Sequence, residues 1–129
     1  MINLIDLARK EMILLKQHVT PEEINKLDYS MLIPEQRDSC IYGQMTGDCF
    51  SRRATDLIKK CCPTMLTARN TLSNGIEEYV EPVPQEKVNL DDPFARINGY
   101  YSPIEVLISI YPSYGHDIIY FLKGLKDTI

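Results

Sequence analysis

Apolar side chains recur every three or four residues in several parts of the chain, which is typical of helices with one buried face. The first stripe predicts a helix over residues 3–17. Its apolar members are Leu4, Ile5, Ala8, Met12 and Leu15, and the charged residues Arg9, Lys10, Glu11 and Lys16 are assigned elsewhere around the cylinder. The pattern therefore predicts a mainly α fold.

Two further helices have start signals in the sequence. The runs Thr20-Pro21-Glu22-Glu23 and Ser102-Pro103-Ile104-Glu105 each place a capping hydroxyl three residues before a glutamate, with proline at the first helical position. They predict helices over 21–31 and 103–111. The buried face predicted for the first is Ile24, Leu27 and Met31, and for the second Ile104, Leu107, Ile108 and Tyr111.

Three more helices are predicted over 34–42, 49–62 and 116–125. Pro34 opens the first, and Asp48 is a candidate cap for the second. The last places Ile118, Phe121, Leu122 and Leu125 on one side. A short helix containing Met65, Leu66 and Leu72 is also predicted, ending at Asn74-Gly75.

Segment 76–101 differs from the rest of the chain in charge and proline content. Residues 76–93 contain one basic residue, Lys87, and six acidic residues: Glu77, Glu78, Glu81, Glu86, Asp91 and Asp92. Prolines 82, 84 and 93 forbid a helix there and disfavour a central strand. We therefore expect a single domain, 1–129, in which an extended acidic, proline-rich loop or short edge hairpin joins the N-terminal helices, 1–75, to a C-terminal helical pair, 102–129.

Composition excludes some functions. A chain of 129 residues with 44% hydrophobic and 25% charged residues suits one ordinary globular domain. Its net charge of −4 argues against nucleic-acid binding by bulk electrostatics. The sequence has no apolar run long enough for a transmembrane helix and no signal-peptide pattern, so we expect a cytoplasmic protein that does not bind membranes.

The four cysteines, Cys40, Cys49, Cys61 and Cys62, lie within 23 residues and suggest a zinc site. Their spacing argues against one, because structural zinc ligands usually come as close pairs two to four residues apart. A helix running unbroken from Cys49 to Cys61 would also hold these residues roughly 18 Å apart. We predict buried, reduced thiols and no metal or other cofactor.

The run from Cys40 to Cys49, continued by Ser51, Arg53-Ala54, Leu57-Ile58 and Cys61-Cys62, resembles small uncharacterised accessory proteins of bacteriophages and mobile elements. This likeness covers about a fifth of the chain. The resemblance implies an accessory or counter-defence setting, for which an anti-CRISPR protein is one candidate. It carries over no functional residue.

The sequence contains no motif of a known catalytic template, so we predict no catalytic residue and no enzyme. The leading hypothesis is a protein-binding module, an inhibitor of a host defence protein, whose partner has a basic surface and is a candidate nucleic-acid-binding protein. Its predicted contact residues are Glu77, Glu78, Glu81, Glu86, Asp91, Asp92, Tyr100, Tyr101 and Tyr114. Two alternatives stay open, a zinc-stabilised regulator and a nucleic-acid-binding accessory protein using Arg52, Arg53, Lys59 and Lys60.

Overall fold

The computed structural model describes residues 3–33, 36, 38–68, 80–88 and 100–129. This part of the chain is mainly α-helical. Its helices are α1 (Leu4–His18), α2 (Pro21–Asn25), α3 (Ile41–Thr46), α4 (Arg52–Cys61), α5 (Pro103–Ile110) and α6 (Tyr114–Leu122). Its strands are β1 (Thr64–Ala68), β2 (Val80–Pro84) and β3 (Tyr100–Tyr101), and 3₁₀ turns occupy Tyr29–Met31 and Gln85–Lys87.

Helix α1 is the central helix of the fold and packs against α4, α5 and α6. The side chain of Asn3 caps its first turn by accepting the amide of Asp6 at 3.1 Å. The helix predicted over 3–17 is confirmed. Its buried residues are Leu4, Ala8, Glu11, Met12 and Leu15. Glu11 was assigned to the polar side of the helix, and this assignment is wrong.

The capping box of α2 forms as predicted, with Thr20 and Glu23 accepting each other's backbone amides. The helix nevertheless ends at Asn25, so the predicted span 21–31 is too long. The Asp28 carboxylate accepts the amide of Ser30 at 2.9 Å and starts a 3₁₀ turn, which competes with continuation of the helix. Met31, predicted to be buried, is 63% exposed.

Helix α3 lies at 41–46, whereas a helix over 34–42 was predicted; residues 34, 35 and 37 lie outside the described residues. The sulfur of Cys40 caps this helix by accepting the amide of Gly43 at 3.3 Å. Gly43 is buried inside the helix. Gly47 ends it with φ of 94°, a left-handed conformation that favours glycine.

Helix α4 begins at Arg52 rather than at Cys49, because Ser51 is its cap and accepts the amide of Ala54 at 3.1 Å. Asp48 was the predicted cap. Its carboxylate instead accepts the amide of Phe50 at 2.8 Å in a turn before the helix. Helix α4 ends at Cys61, one residue before the predicted end, and Pro63 two residues later cannot continue it.

Residues 64–68 form a strand, so the short helix predicted to contain Met65 and Leu66 is wrong there; Leu72 and Asn74-Gly75 lie outside the described residues. Strand β1 pairs antiparallel with β2 on one side and with β3 on the other. Both Met65 and Leu66 are buried. Two apolar residues flanked by threonines fit a strand as well as a helix, and the segment is a strand because it pairs with β2 and β3.

The C-terminal helices lie close to their predicted positions. Ser102 caps α5 by accepting the amide of Glu105 at 3.2 Å, and the helix ends at Ile110. Helix α6 starts two residues earlier than predicted and ends at Leu122. Leu125, predicted on its buried side, therefore lies beyond the helix and is 68% exposed. None of the helices in the described ranges has the length and apolar character needed to cross a membrane.

Candidate functional site

The predicted acidic contact surface is described in part. Glu81 lies on β2 and Glu86 in the 3₁₀ turn that follows, and both side chains are exposed. The other predicted members, Glu77, Glu78, Asp91 and Asp92, lie outside the described residues.

The predicted contact tyrosines are partly used in packing. Tyr100 and Tyr101 form β3, are half-buried and pack against the hydrophobic core. Tyr114 begins α6, is also half-buried, and meets the ring of Tyr111 edge-on with centroids 6.1 Å apart. These rings therefore offer less free area to a partner than the sequence suggested.

A different aromatic surface is exposed where the 3₁₀ turn at Tyr29–Met31 meets α6. The rings of Tyr29, His116 and Tyr120 form a row, which we call the aromatic ladder. Tyr29 meets His116 edge-on with centroids 5.3 Å apart, and His116 lies 3.9 Å from Tyr120 in a tilted arrangement. Tyr29 is 43% exposed and Tyr120 is 38% exposed. Met31 and Ile33 follow Tyr29 in the chain and are exposed as well.

The aromatic ladder depends on close contact between the 3₁₀ turn and α6. His116 and Tyr120 are four residues apart on α6, so their rings share one face of the helix. Gly115 lets the turn approach, because a Cβ atom there would lie 2.5 Å from Cδ2 of Leu32 and 3.5 Å from Cε2 of Tyr29. A side chain at 115 would therefore displace the end of the Leu32 side chain, whereas its distance to the Tyr29 ring is an ordinary contact.

Gln44 on α3 fixes the other side of the turn. Its Oε1 accepts the amide of Asp28 at 2.8 Å, and its Nε2 donates to the carbonyl of Asp28 at 3.0 Å and of Ser39 at 3.2 Å. The turn is therefore held by hydrogen bonds from α3 as well as by packing on α6. Preorganisation of this kind lowers the entropy lost when a partner binds.

Charged groups border the aromatic ladder. Lys126 donates to the carboxylate of Asp117 at 2.6 Å, and this hydrogen bond is the main cause that lowers the pKa of Asp117. Hydrogen bonds from Ser30 lower the pKa of Asp28 in the same way. Both carboxylates are thus ionised at neutral pH. An aromatic and apolar centre with a charged rim is the usual composition of a protein-binding surface.

The cysteines lie in the core. All four are buried, and no disulfide joins them. Burial raises the pKa of Cys61 to about 12, and burial likewise raises that of Cys62 well above its ordinary value. Thiolates are the nucleophilic form, so neither thiol is activated. Within the described ranges, no three of the histidines, cysteines and acidic residues are grouped so that they could hold a metal ion.

A buried polar cluster joins α1 to α3, α4 and α5. The Glu11 carboxyl is 1% exposed; its Oε1 accepts the amide of Ile104 at 2.8 Å and its Oε2 is hydrogen-bonded to the phenol of Tyr42. The phenol also lies 3.4 Å from the sulfur of Cys62. Burial, opposed by these hydrogen bonds, raises the pKa of Glu11 to about 7. We call Glu11, Tyr42 and Cys62 the buried triad.

Arg53, a residue of the nucleic-acid alternative, is engaged within the protein. Its guanidinium donates to both carboxylate oxygens of Glu23 at 2.8 Å and to the carbonyl of His18 at 2.9 Å. These bonds join α4 to α2 and to the end of α1. Arg53 is therefore less free to contact phosphate than its place in the sequence suggested.

Comparisons with protein-family models, with curated proteins and with solved structures found no significant match to this chain.

Proposed function

We propose that this protein is a non-enzymatic protein-binding module whose main contact surface is the aromatic ladder with Met31 and Ile33. The supporting observation is a row of three rings in mutual contact, beside a turn that Gln44 holds by hydrogen bonds to the backbone of Asp28. Tyrosine and methionine are enriched in protein interfaces, and tyrosine is enriched among the residues that dominate binding energy. The raised pKa values of Cys61 and Cys62 argue against nucleophilic catalysis by these two thiols.

The partner that we propose is a host protein with an apolar pocket for the ladder and a basic surface for acidic segment 76–92. Glu81 and Glu86 are the exposed described members of that segment. Rim charges mainly set association rate and salt dependence, whereas buried aromatic anchors set dissociation. By binding this partner, the protein would inhibit a host defence protein.

Affinity capture from a lysate of the native host, with mass spectrometry of the bound protein, tests this proposal. Tyr120→Ala should weaken binding of the captured partner by about tenfold or more, as expected for a central aromatic residue. Ile13→Ala is the matched control, because Ile13 is an apolar residue on α1 that is 51% exposed. It should leave binding unchanged.

A third variant separates the two surfaces. Changing Glu77, Glu78, Glu81 and Glu86 to glutamine should slow association and reduce its salt dependence while leaving dissociation nearly unchanged. If this variant abolishes binding and Tyr120→Ala has no effect, the acidic segment is the contact surface and the ladder is not. A captured protein that binds the wild type and all three variants equally would contradict both assignments.

A further inference from the structure

The buried triad has a hydrogen-bond chain that can run in two directions. The phenol of Tyr42 has one hydrogen to donate. Its oxygen is hydrogen-bonded to Oε2 of Glu11 and lies 3.4 Å from the sulfur of Cys62. With Glu11 ionised, the phenol donates to the carboxylate and the thiol donates to the phenol. With Oε2 protonated, the carboxyl donates to the phenol and the phenol donates to the sulfur. One proton on Glu11 therefore reverses both bonds.

Other polar groups face Glu11 from the elements packed around it. The negative charge of Glu105 and a hydrogen bond from Ser102 act on Glu11 from the start of α5, and the charge of Glu11 in turn helps to raise the pKa of Cys61 at the end of α4. Lys10 precedes Glu11 on α1 and lines the adjacent cavity. No lysine or arginine in the described residues forms an ion pair with Glu11. The carboxylate is thus buried without a cationic partner, which favours its neutral form.

A cavity of about 90 Å³ lies beside Glu11. Leu7, Lys10 and Glu11 line it from α1, and Thr64 and Pro103 line it from the starts of β1 and α5. Such a volume has room for a few water molecules, and the polar groups of Lys10, Glu11 and Thr64 lie on its otherwise mainly apolar wall. Water that entered this cavity would solvate the ionised carboxylate.

We propose that the buried triad is a proton-binding site that fastens α1 to α3 and α5 when occupied and loosens this contact, admitting water to the cavity, when empty. The proton comes from solvent, and no other bond forms or breaks. The pKa of Glu11, about 7 in the folded protein against 4.5 for the ordinary group, places the change at neutral pH.

The sign of the pH dependence follows from linkage. Because burial raises the pKa of Glu11, the stability that its proton contributes is complete below the unfolded pKa of 4.5 and is lost as pH rises to about 7. The wild-type protein should therefore melt about 10 °C lower at about pH 8 than at about pH 5.

Glu11→Gln is the informative variant, because an amide mimics the protonated carboxyl. Its oxygen can accept the amide of Ile104, and its NH₂ group can donate to the phenol of Tyr42. We expect the melting temperature of Glu11→Gln to change little between about pH 5 and about pH 8. The melting temperature of the wild type should therefore fall relative to that of the variant as pH rises. Glu22→Gln, which removes an exposed carboxylate on α2, is the matched control and should keep the wild-type slope.

Two spectroscopic measurements test the site in the wild-type protein, whether or not the variant folds. The Glu11 side-chain carboxyl carbon, observed by ¹³C NMR, should titrate with a midpoint near 7. The S–H stretching band that Cys62→Ala removes should shift over the same pH range, because the thiol changes from acceptor to donor. A Glu11 midpoint below about 5, which is the range of exposed glutamates, would overturn the proposal, as would an S–H band that does not change with pH.

Discussion

Glu11 and Glu23 are both largely buried and both accept several hydrogen bonds, yet their pKa values move in opposite directions. Glu23 is 9% exposed and receives two hydrogen bonds from Arg53, which lower its pKa. Glu11 is 1% exposed, its described partners are neutral, and burial raises its pKa. The two carboxyls differ in depth of burial and in partner: deep burial favours the neutral form of Glu11, and the Arg53 guanidinium favours the charged form of the less deeply buried Glu23.

The two glutamates therefore limit stability from opposite ends of the pH scale. Glu23 contributes stability that is present above its unfolded pKa of 4.5 and is lost as pH falls through its lowered folded pKa. Glu11 contributes stability that is present below 4.5 and is lost as pH rises to about 7. From these two groups alone, the protein should be most stable in mildly acidic solution.

Glu11→Ala should produce the largest effect. At about pH 5 we expect a loss of about 3 kcal/mol in the free energy of unfolding, because the change leaves a cavity and the unpaired amide of Ile104. The loss should shrink as pH rises through neutrality, because the wild type itself gives up about 3 kcal/mol when Glu11 ionises. Urea unfolding of the variant and the wild type at several pH values measures the loss at about pH 5 and its decrease at higher pH.

Ile13→Ala is the control for this prediction, since Ile13 is 51% exposed on the same helix, does not line the cavity beside Glu11, and alanine suits a helix well. Its unfolding curve should match the wild type at each pH. A Glu11→Ala deficit that stays constant from acidic to alkaline solution would show that Glu11 is not protonated in the folded protein.

Arg53→Met should have a smaller effect with the opposite pH dependence. We expect a loss of about 1 kcal/mol at neutral pH, because the Arg53 side chain is 37% exposed and solvent screens part of the pair. The deficit should decrease in acid as Glu23 becomes protonated. Arg52→Met, at the neighbouring exposed arginine, is the control, and an equal loss in both variants would remove the special role of the Arg53–Glu23 pair.

Local signals in the sequence predicted the helices well where one cap and one apolar stripe decide the outcome. Helix α1 and the capped starts at Thr20 and Ser102 are examples. Prediction failed where distant partners decide. The run from Thr64 to Ala68 is a strand because β2 and β3 pair with it, and no pattern within these five residues shows that pairing.

The candidate sites were harder to predict than the fold. Glu11 had a usable signal, since it lies three residues after Ala8 and four before Leu15, on the buried side of α1. Its partners Tyr42 and Cys62 come from distant parts of the chain, so the triad itself had no local signal. The aromatic ladder was missed because helix two was extended too far, which placed Met31 in the core and left Tyr29 unassigned.

The smallest predicted effect belongs to Glu105, which faces Glu11 from the first turn of α5. The negative charge of Glu105 disfavours ionisation of Glu11 and thus helps to raise the pKa of Glu11, although less than burial does. Glu105→Gln removes the charge and keeps a similar shape, so the ¹³C NMR midpoint of Glu11 should move down while remaining above the ordinary glutamate value. Glu23, which has its own cationic partner, should keep its midpoint. An unchanged Glu11 midpoint would mean that the interior is screened enough for burial alone to set its protonation.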